Sequence, residues 1–338
     1  RDVIVGAVIA GGNVIIDADT VTNIGGTISA DKELAITSTG DITNTSGTIT
    51  GGNVSVTSTE GSIKNETSAQ TFDSGLTAVT RIGKEGSITS TGDLSLDAKK
   101  DIIVLGAKVK SGGDASLSAG ENVTVDTIVD KTTTSRGMDR STKTGGFGTS
   151  SSVTKTTTTE TNIGSSVEIG GALTIKSGGD TTIAGSNAEV GGDLDVDAGG
   201  DLNVLARQDK VTSKTTSTVK GLGVGGGLFG KSKTTTDAFS GTNSGSTLTV
   251  GGNTTLKSEK SITIQGSEVT GAGDGFSFAK EGINILDGLD EERVNTRTET
   301  TTFFKVGSDG DSSSGSSSDS SSSSSSGTES DSGTSSLG

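Results

Sequence analysis

The chain has 338 residues and a formal net charge of −15, with 28% hydrophobic and only 2% aromatic residues. It contains no Cys or His, which excludes disulfides, thiolate metal sites and histidine catalysis. The acidic balance argues against whole-surface binding to nucleic acid, and no apolar run approaches the ~18 residues of a membrane span.

Residues 1–65 carry short alternating patterns of apolar residues that recur about every 20 residues, as Val14 recurs in Leu34. Alternation with period 2 is typical of half-buried strands, and a fixed period near 20 indicates coils of a parallel β-solenoid. Stacking such coils about 4.8 Å apart would align one recurring amide in a hydrogen-bonded ladder. The three residues assigned to this structural ladder are Asn23, Asn44 and Asn65.

Residues 66–125 start irregularly and then return to the solenoid pattern. The stretch 66–87 breaks the spacing, and we interpret it as a coil with an inserted loop. A spacing of 21 then resumes, with Ile88 corresponding to Val109. No Asn occupies the ladder position after residue 88, which indicates a change of coil type.

The remainder alternates coils with Thr-rich segments that leave the pattern, here called excursions. Coils are predicted at 166–205 and 247–292, and excursions at 126–165 and 206–246, with a partial excursion at 293–307. Thr favours strands and the central Gly clusters favour turns, so each excursion is predicted as a β-hairpin or a flexible arm. About ten coils are expected in all.

A longer period is also visible, since Ile169 recurs as Val250 and Ile175 as Leu256, 81 residues apart. One super-repeat is therefore two coils plus one excursion. The corners within it are GGD or GGN, such as 178–180 and 199–201. Gly, Asp and Asn tolerate positive φ better than other residues, and we expect sharp turns there for that reason.

Residues 308–338 form a Ser/Gly/Asp tail with acidic but no basic residues, and we predict that this tail is disordered.

The excursions are the best candidates for contact with a partner. Residues 131–160 and 209–237 each carry five basic and two acidic residues, so each has a charge of 5 − 2 = +3. Basic flanks beside an apolar tip suit an anionic membrane surface such as lipopolysaccharide. The alternative is a soluble loop whose apolar residues fold back onto the solenoid. The candidate contact residues are Phe147, Leu222, Val224, Leu228, Phe229, Lys214, Lys220, Lys231 and Lys233.

The repeat blocks resemble a known family. The N-x-x-G-T-I blocks at 23–28 and 44–49 resemble the first repeat class of filamentous haemagglutinin-type exoproteins. The block GGDLDVDAGGDLNVLA, followed by a Thr-rich excursion, resembles the second repeat class. That class occurs in two-partner-secreted adhesins and in contact-dependent growth inhibition effectors. The resemblance extends from residue 1 to about residue 306.

This resemblance implies an all-β, right-handed parallel β-helix at the surface of a Gram-negative bacterium, exported by an outer-membrane transporter. It implies contact with a target-cell surface, through lipopolysaccharide or an outer-membrane protein, and implies neither a cofactor nor a nucleic-acid partner. Because the repeat pattern is already under way at Val14, we expect an internal fragment of a longer protein.

Four other functions compete with this one. A passive stalk that spaces a head or toxin domain is the main alternative. A polysaccharide-active β-helix enzyme would need paired carboxylates and aromatic platforms, and no such pair stands out. Calcium could use Asp193, Asp195 and Asp197, although a solvated acidic face explains them equally. Ice binding is disfavoured because the threonines cluster in the excursions.

Overall fold

The structure, a computed structural model, describes residues 7–74, 77–144, 147–304 and 323–325. Three parallel sheets of nine strands each wind into a solenoid, and a fourth, antiparallel sheet lies beside them. This confirms the predicted all-β parallel solenoid, with nine coils in the described residues instead of about ten. None of the described residues forms a helix long and apolar enough to cross a membrane.

Each coil contributes one strand to each parallel sheet. Sheet A comprises β1 (Val8–Gly11), β4 (Thr27–Ala30), β7 (Thr48–Gly51), β12 (Ser87–Ser90), β15 (Lys108–Ser111), β20 (Ser166–Ile169), β23 (Asn187–Val190), β28 (Thr247–Val250) and β31 (Glu268–Gly271). Sheet B comprises β2 (Val14–Ala18), β5 (Glu33–Ser38), β8 (Asn53–Ser58), β13 (Leu94–Ala98), β16 (Ala115–Ala119), β21 (Leu173–Ser177), β24 (Leu194–Ala198), β29 (Thr254–Ser258) and β32 (Gly275–Ala279). Sheet C comprises β3 (Val21–Ile24), β6 (Ile42–Thr45), β9 (Ile63–Glu66), β14 (Ile102–Leu105), β17 (Val123–Asp126), β22 (Thr181–Ala184), β25 (Leu202–Leu205), β30 (Ser261–Gln265) and β33 (Gly282–Leu286).

The core is a narrow column of aliphatic side chains that point inward from all three sheets. Alternate residues of every strand face inward, as Leu96, Val104 and Val109 do, and these three are fully buried. Parallel pairing places equivalent residues of successive coils next to each other, so that Leu96 lies over Leu117. One to three aliphatic residues per strand fill the interior, which explains how a chain with 28% hydrophobic residues forms a continuous core.

The corners between sheets A and B and between sheets B and C depend on close packing, and the positive φ that we predicted for GGD corners such as 178–180 is absent from both. A Cβ atom added to Gly191 or Gly251 would lie under 3.0 Å from the carbonyl oxygen of the glycine one coil below. The corner glycines are therefore required because the backbones of successive coils approach so closely.

The Asp and Asn residues of these corners accept hydrogen bonds from the next coil. Oδ1 of Asp93 accepts the backbone N–H of Asp114 at 2.9 Å, and Oδ1 of Asp114 accepts that of Ala172 at 2.8 Å. At the corner between sheets B and C, Asp180 accepts the N–H of Asp201 in the same way. An oxygen acceptor at this position satisfies an amide that turns away from the strand ladder.

Positive φ occurs instead at the third corner, between sheets C and A, where Gly106 has φ of 53° and Ser46 has φ of 51°. All excursions leave the solenoid at this third corner. They follow β9, β17, β25 and β33, that is, every second coil.

The excursions together form the fourth sheet, here called the lateral sheet. Its strands are β10 (Ala69–Asp73), β11 (Thr77–Ile82), β18 (Ile128–Thr144), β19 (Phe147–Ile163), β26 (Arg207–Leu222), β27 (Phe229–Ser244), β34 (Glu291–Phe304) and β35 (Ser323–Ser325), with one 3-10 turn at Val224–Gly226. Two coils rise about 9.6 Å, which equals the width of one two-stranded hairpin. Successive hairpins therefore meet edge to edge and pair into one continuous sheet.

The structure differs from the prediction at residues 66–87. In place of a coil with an inserted loop, β10 and β11 form a short antiparallel hairpin, the first of the series. The partial excursion predicted at 293–307 corresponds to β34, which pairs with β27. The tail predicted to be disordered, 308–338, lies outside the described residues apart from the three residues of β35.

Candidate contact site on the lateral sheet

The lateral sheet is held by long, regular ladders. Strands β18 and β19 pair along their whole length without a register shift, and β19 pairs with β26 continuously from Thr149 to Glu160. At about 3.4 Å per residue, each long hairpin extends roughly 55 Å. Facing hydroxyls add cross-strand bonds, such as Thr133 to Thr158 at 2.9 Å. The excursions are thus extended hairpins that do not fold back onto the solenoid.

An asparagine and an aspartate tie each long hairpin to the next near its base. Asn162 donates its backbone N–H to Asp209 Oδ1 at 2.7 Å, and its side chain donates to the carbonyl of Gln208 at 2.9 Å. The same joint recurs one super-repeat later, where the backbone N–H of Asn243 donates to Asp290 at 2.7 Å. The solenoid contributes an ion pair between Asp126 and Arg207, and the hydrogen bonds to this carboxylate raise the pKa of the guanidinium.

Four of the predicted contact lysines lie on one face of the sheet, here called the cationic face. In β26 Lys214 and Lys220 are an even number of positions apart, and Lys231 in β27 is the direct partner of Lys220. Lys233 is paired with Thr218 and lies on the same face. Within the described residues none of these four lysines forms an ion pair.

Lys220 and Lys231 form the most concentrated positive charge on this face. They are directly opposite each other, with Ser150 beyond Lys220 and Thr301 beyond Lys231. By contrast, Lys214 faces Asp237, and Lys233 faces Glu299. Two like charges placed side by side without an acidic neighbour in the row cost stability. An anionic partner bound between them would relieve that cost.

The tip of the second long hairpin lies immediately beyond this lysine pair and forms a compact turn. Leu222 and Leu228 are 42% and 46% exposed, while Val224 and Phe229 are half-buried. Positive φ at Gly223 and its neighbours forms the turn, and Thr302 Oγ1 donates to the carbonyl of Gly225 at 3.0 Å. The tip thus presents two exposed aliphatic side chains next to two lysines.

The first long hairpin differs from the second. Three of its cations, Arg136, Arg140 and Lys155, lie on the face opposite the cationic face, beside exposed Met138 and Val153. By contrast, Lys131 lies on the cationic face and pairs with Glu160. The Phe147 side chain lies outside the described residues, although its backbone begins β19. The sequence therefore identified two hairpins of equal charge but could not show that Arg136, Arg140 and Lys155 of the first lie on the face opposite the four lysines of the second.

The asparagine ladder lies far from this surface, inside the solenoid. Asn23 donates to Asn44 Oδ1 at 2.8 Å, and Asn44 donates to Asn65 Oδ1 at 2.8 Å. All three are buried, and the column continues upward as Val104 and Val125. The three asparagines thus form a hydrogen-bonded column within the core of the solenoid.

Of the carboxylates considered for calcium, Asp193 is occupied by the coil stack, as is the neighbouring Asp201. Among the described residues Asp195 Oδ1 is buried without a hydrogen-bond partner, and Asp197 is exposed. Asp193 Oδ1 accepts the N–H of Asn253 at 2.7 Å, and Asp201 accepts that of Ser261 at 3.0 Å. Among the described residues no group of acidic side chains is arranged to hold a metal ion.

A separate cluster lies on the outer face of sheet A. Glu168 bonds Lys108 at 2.9 Å and Lys110 at 3.1 Å, and these bonds lower its pKa to about 2. The same contact raises the pKa of Lys108. This cluster joins two neighbouring strands, β15 and β20.

Neither the joint residues Asn162 and Asp209 nor the short β10–β11 hairpin was predicted from the sequence. The joint had a signal, because Asn162 and Asp209 recur as Asn243 and Asp290 at the super-repeat spacing. The first hairpin had one too, a Ser-Gly pair at 74–75 between two stretches of alternating residues.

Comparison with known proteins agrees with the repeat architecture. A family model described as "Hemagglutinin repeat" matches residues 80–221 and 227–337. Two curated proteins are similar, both named tRNA nuclease CdiA. The protein of Escherichia coli O6:K15:H31 (strain 536 / UPEC) is 31% identical over 36% of this chain and 5% of its own length. The protein of Escherichia coli strain NC101 is 34% identical over 30% of this chain and 3% of its own length. The chain thus spans a small part of these relatives, and no solved structure matches it.

Proposed function

Because this chain belongs to the hemagglutinin repeat family, a family of secreted proteins of the Gram-negative cell surface, we propose that it is a non-enzymatic adhesive stem. The solenoid provides the stem, and the lateral sheet contacts a target-cell surface or outer membrane. Export through an outer-membrane transporter follows from the family. The nuclease activity in the relatives' names is not part of this proposal.

One observation carries the contact role: the Lys220–Lys231 pair lies just inward from the exposed tip, with Leu222 two positions beyond Lys220 and Leu228 three positions before Lys231. One step of two residues along a strand is about 7 Å. Apolar side chains that enter an acyl layer would bring the lysines to the level of the phosphate groups. Such a tip has both the apolar area and the charge that binding to anionic lipid requires.

The test is flotation of the full chain with vesicles that contain lipopolysaccharide. The tip variant carries Leu222→Ser and Leu228→Ser, and the charge variant carries Lys220→Glu and Lys231→Glu. The matched control carries Val79→Ser and Val211→Ser, which are 49% and 42% exposed but lie near the base. We expect the parent and the control to float, the tip variant to stay in solution, and the charge variant to lose binding most strongly at low salt.

If the parent does not float, or if the control fails to float as well, membrane contact through the tip is wrong. The passive stalk is then the better function, and the continuous core together with the ordered lateral sheet is what favours it. A protein receptor would be indicated if the parent binds whole target cells but not protein-free vesicles.

A further inference from the structure

Among the described residues, the lateral sheet has one long edge that no strand covers. Strand β11 pairs with β18 only from Thr132 to Thr134, whereas β19 pairs with β18 along its whole length on the other side. In the described part of the chain, residues 135–144 of β18 therefore have a neighbour on one side only. Arg136, Met138 and Arg140 are all exposed within this stretch.

The backbone groups that face this edge can be identified. The hydroxyl of Thr80 in β11 bonds both the backbone N–H and the carbonyl of Lys131, at 3.0 and 3.1 Å. In an antiparallel sheet alternate residues direct both groups to the same side. It follows that alternate residues of this stretch direct their N–H and carbonyl groups away from β19, toward the uncovered edge; these are Ser135, Gly137, Asp139, Ser141 and Lys143.

The same molecule shows what occupies such an edge elsewhere. The equivalent side of β26 pairs with β19 continuously from Lys210 to Gly221. The corresponding side of β34 pairs with β27. Among the long hairpins described, the first thus lacks the neighbour that the others have, because the β10–β11 hairpin before it is too short to reach residues 135–144.

The edge also lacks most of the devices that prevent strand addition. The chain contains no proline, and β18 pairs with β19 without a bulge. Three of the five residues that face the edge are Ser or Gly, whose small side chains leave the backbone accessible. The charged side chains described in this stretch stand perpendicular to the sheet, with Arg136 and Arg140 on one face and Asp139 on the other.

We propose that residues 135–144 are a strand-addition site for an extended polypeptide segment that carries two acidic residues four positions apart. Backbone hydrogen bonds would supply the affinity, as in other cases of β-augmentation. The acidic side chains would lie opposite Arg136 and Arg140, which share a face and are four positions apart. This site is separate from the tip that was proposed to contact membranes.

The probe is a fluorescent Thr-rich peptide as long as this stretch, with two Glu residues four positions apart. A second peptide has Lys at both positions. Fluorescence anisotropy with the full chain measures binding. We expect the Glu peptide to bind about tenfold more tightly than the Lys peptide. The Arg136→Glu, Arg140→Glu double variant should reverse this preference and leaves the backbone unchanged.

Gly137→Pro removes an edge N–H that β19 does not use, and a Cβ at Gly137 meets no atom closer than 4.0 Å. It should weaken binding of the Glu peptide at least about tenfold, whereas the control Val153→Ser, at an exposed residue of β19 outside the site, should bind as the parent does. If Gly137→Pro unfolds at a lower temperature than the parent, Ser141→Pro takes its place as the variant that removes an edge N–H. Equal binding of both peptides, or parent-like binding by both proline variants, overturns the proposal. Self-association of the chain that Gly137→Pro abolishes would also overturn the proposal, because the edge would then bind a second copy of this chain.

Discussion

Asn162 donates its backbone N–H and its side-chain amide to the same carboxylate oxygen of Asp209, at 2.7 and 3.0 Å, across the boundary between two hairpins. This contact fixes the offset between β19 and β26 near the solenoid. Strands of Thr and Ser repeat almost identical side chains at every second position, so their side chains specify register weakly. The joint therefore provides a specific contact that sets the register.

Asp209→Ala should loosen this boundary without unfolding the coils. Two donors lose a charged acceptor, which costs about 1–3 kcal/mol locally. We expect faster hydrogen exchange in β19 and β26 and unchanged exchange in sheets A, B and C, measured by mass spectrometry. Asp237→Ala, at an exposed residue on the same sheet, is the control. Equal protection in the parent and Asp209→Ala would show that the ladder alone sets the register.

Asn44→Val should lower the thermal unfolding midpoint, because it leaves the amide of Asn23 and the oxygen of Asn65 buried without this partner. The expected cost is about 2–3 kcal/mol. Replacing all three ladder residues by Val should recover much of the loss, since Val104 already occupies the equivalent position above them. Asn187→Ala, at an exposed asparagine, controls for the residue type. Circular dichroism melting makes the comparison, and a triple variant less stable than the single one would contradict this account.

Glu168 should titrate near pH 2, because Lys108 and Lys110 hold its pKa down. A depressed carboxyl pKa stabilises the fold above the unfolded value of about 4.5, and this contribution is lost as the pH falls toward 2. The partly exposed ion pair limits the effect to less than about 1 kcal/mol. The thermal unfolding midpoint of Glu168→Gln should therefore fall less than that of the parent between about pH 4.5 and 2. The control Lys176→Ala should behave as the parent does. Identical pH profiles for Glu168→Gln and the parent would disprove the assignment.

Gly191→Ala should destabilise the solenoid by about 1–3 kcal/mol, because the added methyl group meets the backbone of the coil below. Gly12→Ala is the matched control, since a Cβ there meets nothing within 4 Å. Chemical denaturation of both variants decides the matter. A loss of the same size in both would mean that glycine acts here through its conformational freedom and not through close packing.

The solenoid could be predicted from the sequence because its information is local and periodic. Leu96 and Leu117 occupy equivalent positions in successive repeats and lie directly over one another, so a spacing in the sequence becomes a contact in the structure. The asparagine ladder follows from the same rule. The prediction that the corner glycines adopt positive φ was wrong, and they are needed for close backbone packing. The sequence shows which residue stands at a corner but not what lies one coil below it.

The lateral sheet could not be derived in the same way. Its strands pair in antiparallel fashion, so Thr149 meets Gly221 and Glu160 meets Lys210, and the sequence separation changes at every step of the ladder. Repeats in sequence therefore indicated the hairpins but not their pairing with one another. Arg136 and Lys214 lie on opposite faces of the lateral sheet. This arrangement depends on the pairing between hairpins, and the sequence alone could not predict it for that reason.

The match between two coil rises and one hairpin width also restricts how a gene for such a protein can change in length. Inserting a single coil would leave all three parallel sheets intact, yet it would open a gap one strand wide between neighbouring hairpins. Inserting 81 residues, the distance between Asp126 and Arg207, keeps both periodicities in phase. Between neighbouring hairpins we therefore expect insertions to be tolerated only as whole super-repeats, so that this part of the molecule changes length in steps of 81 residues.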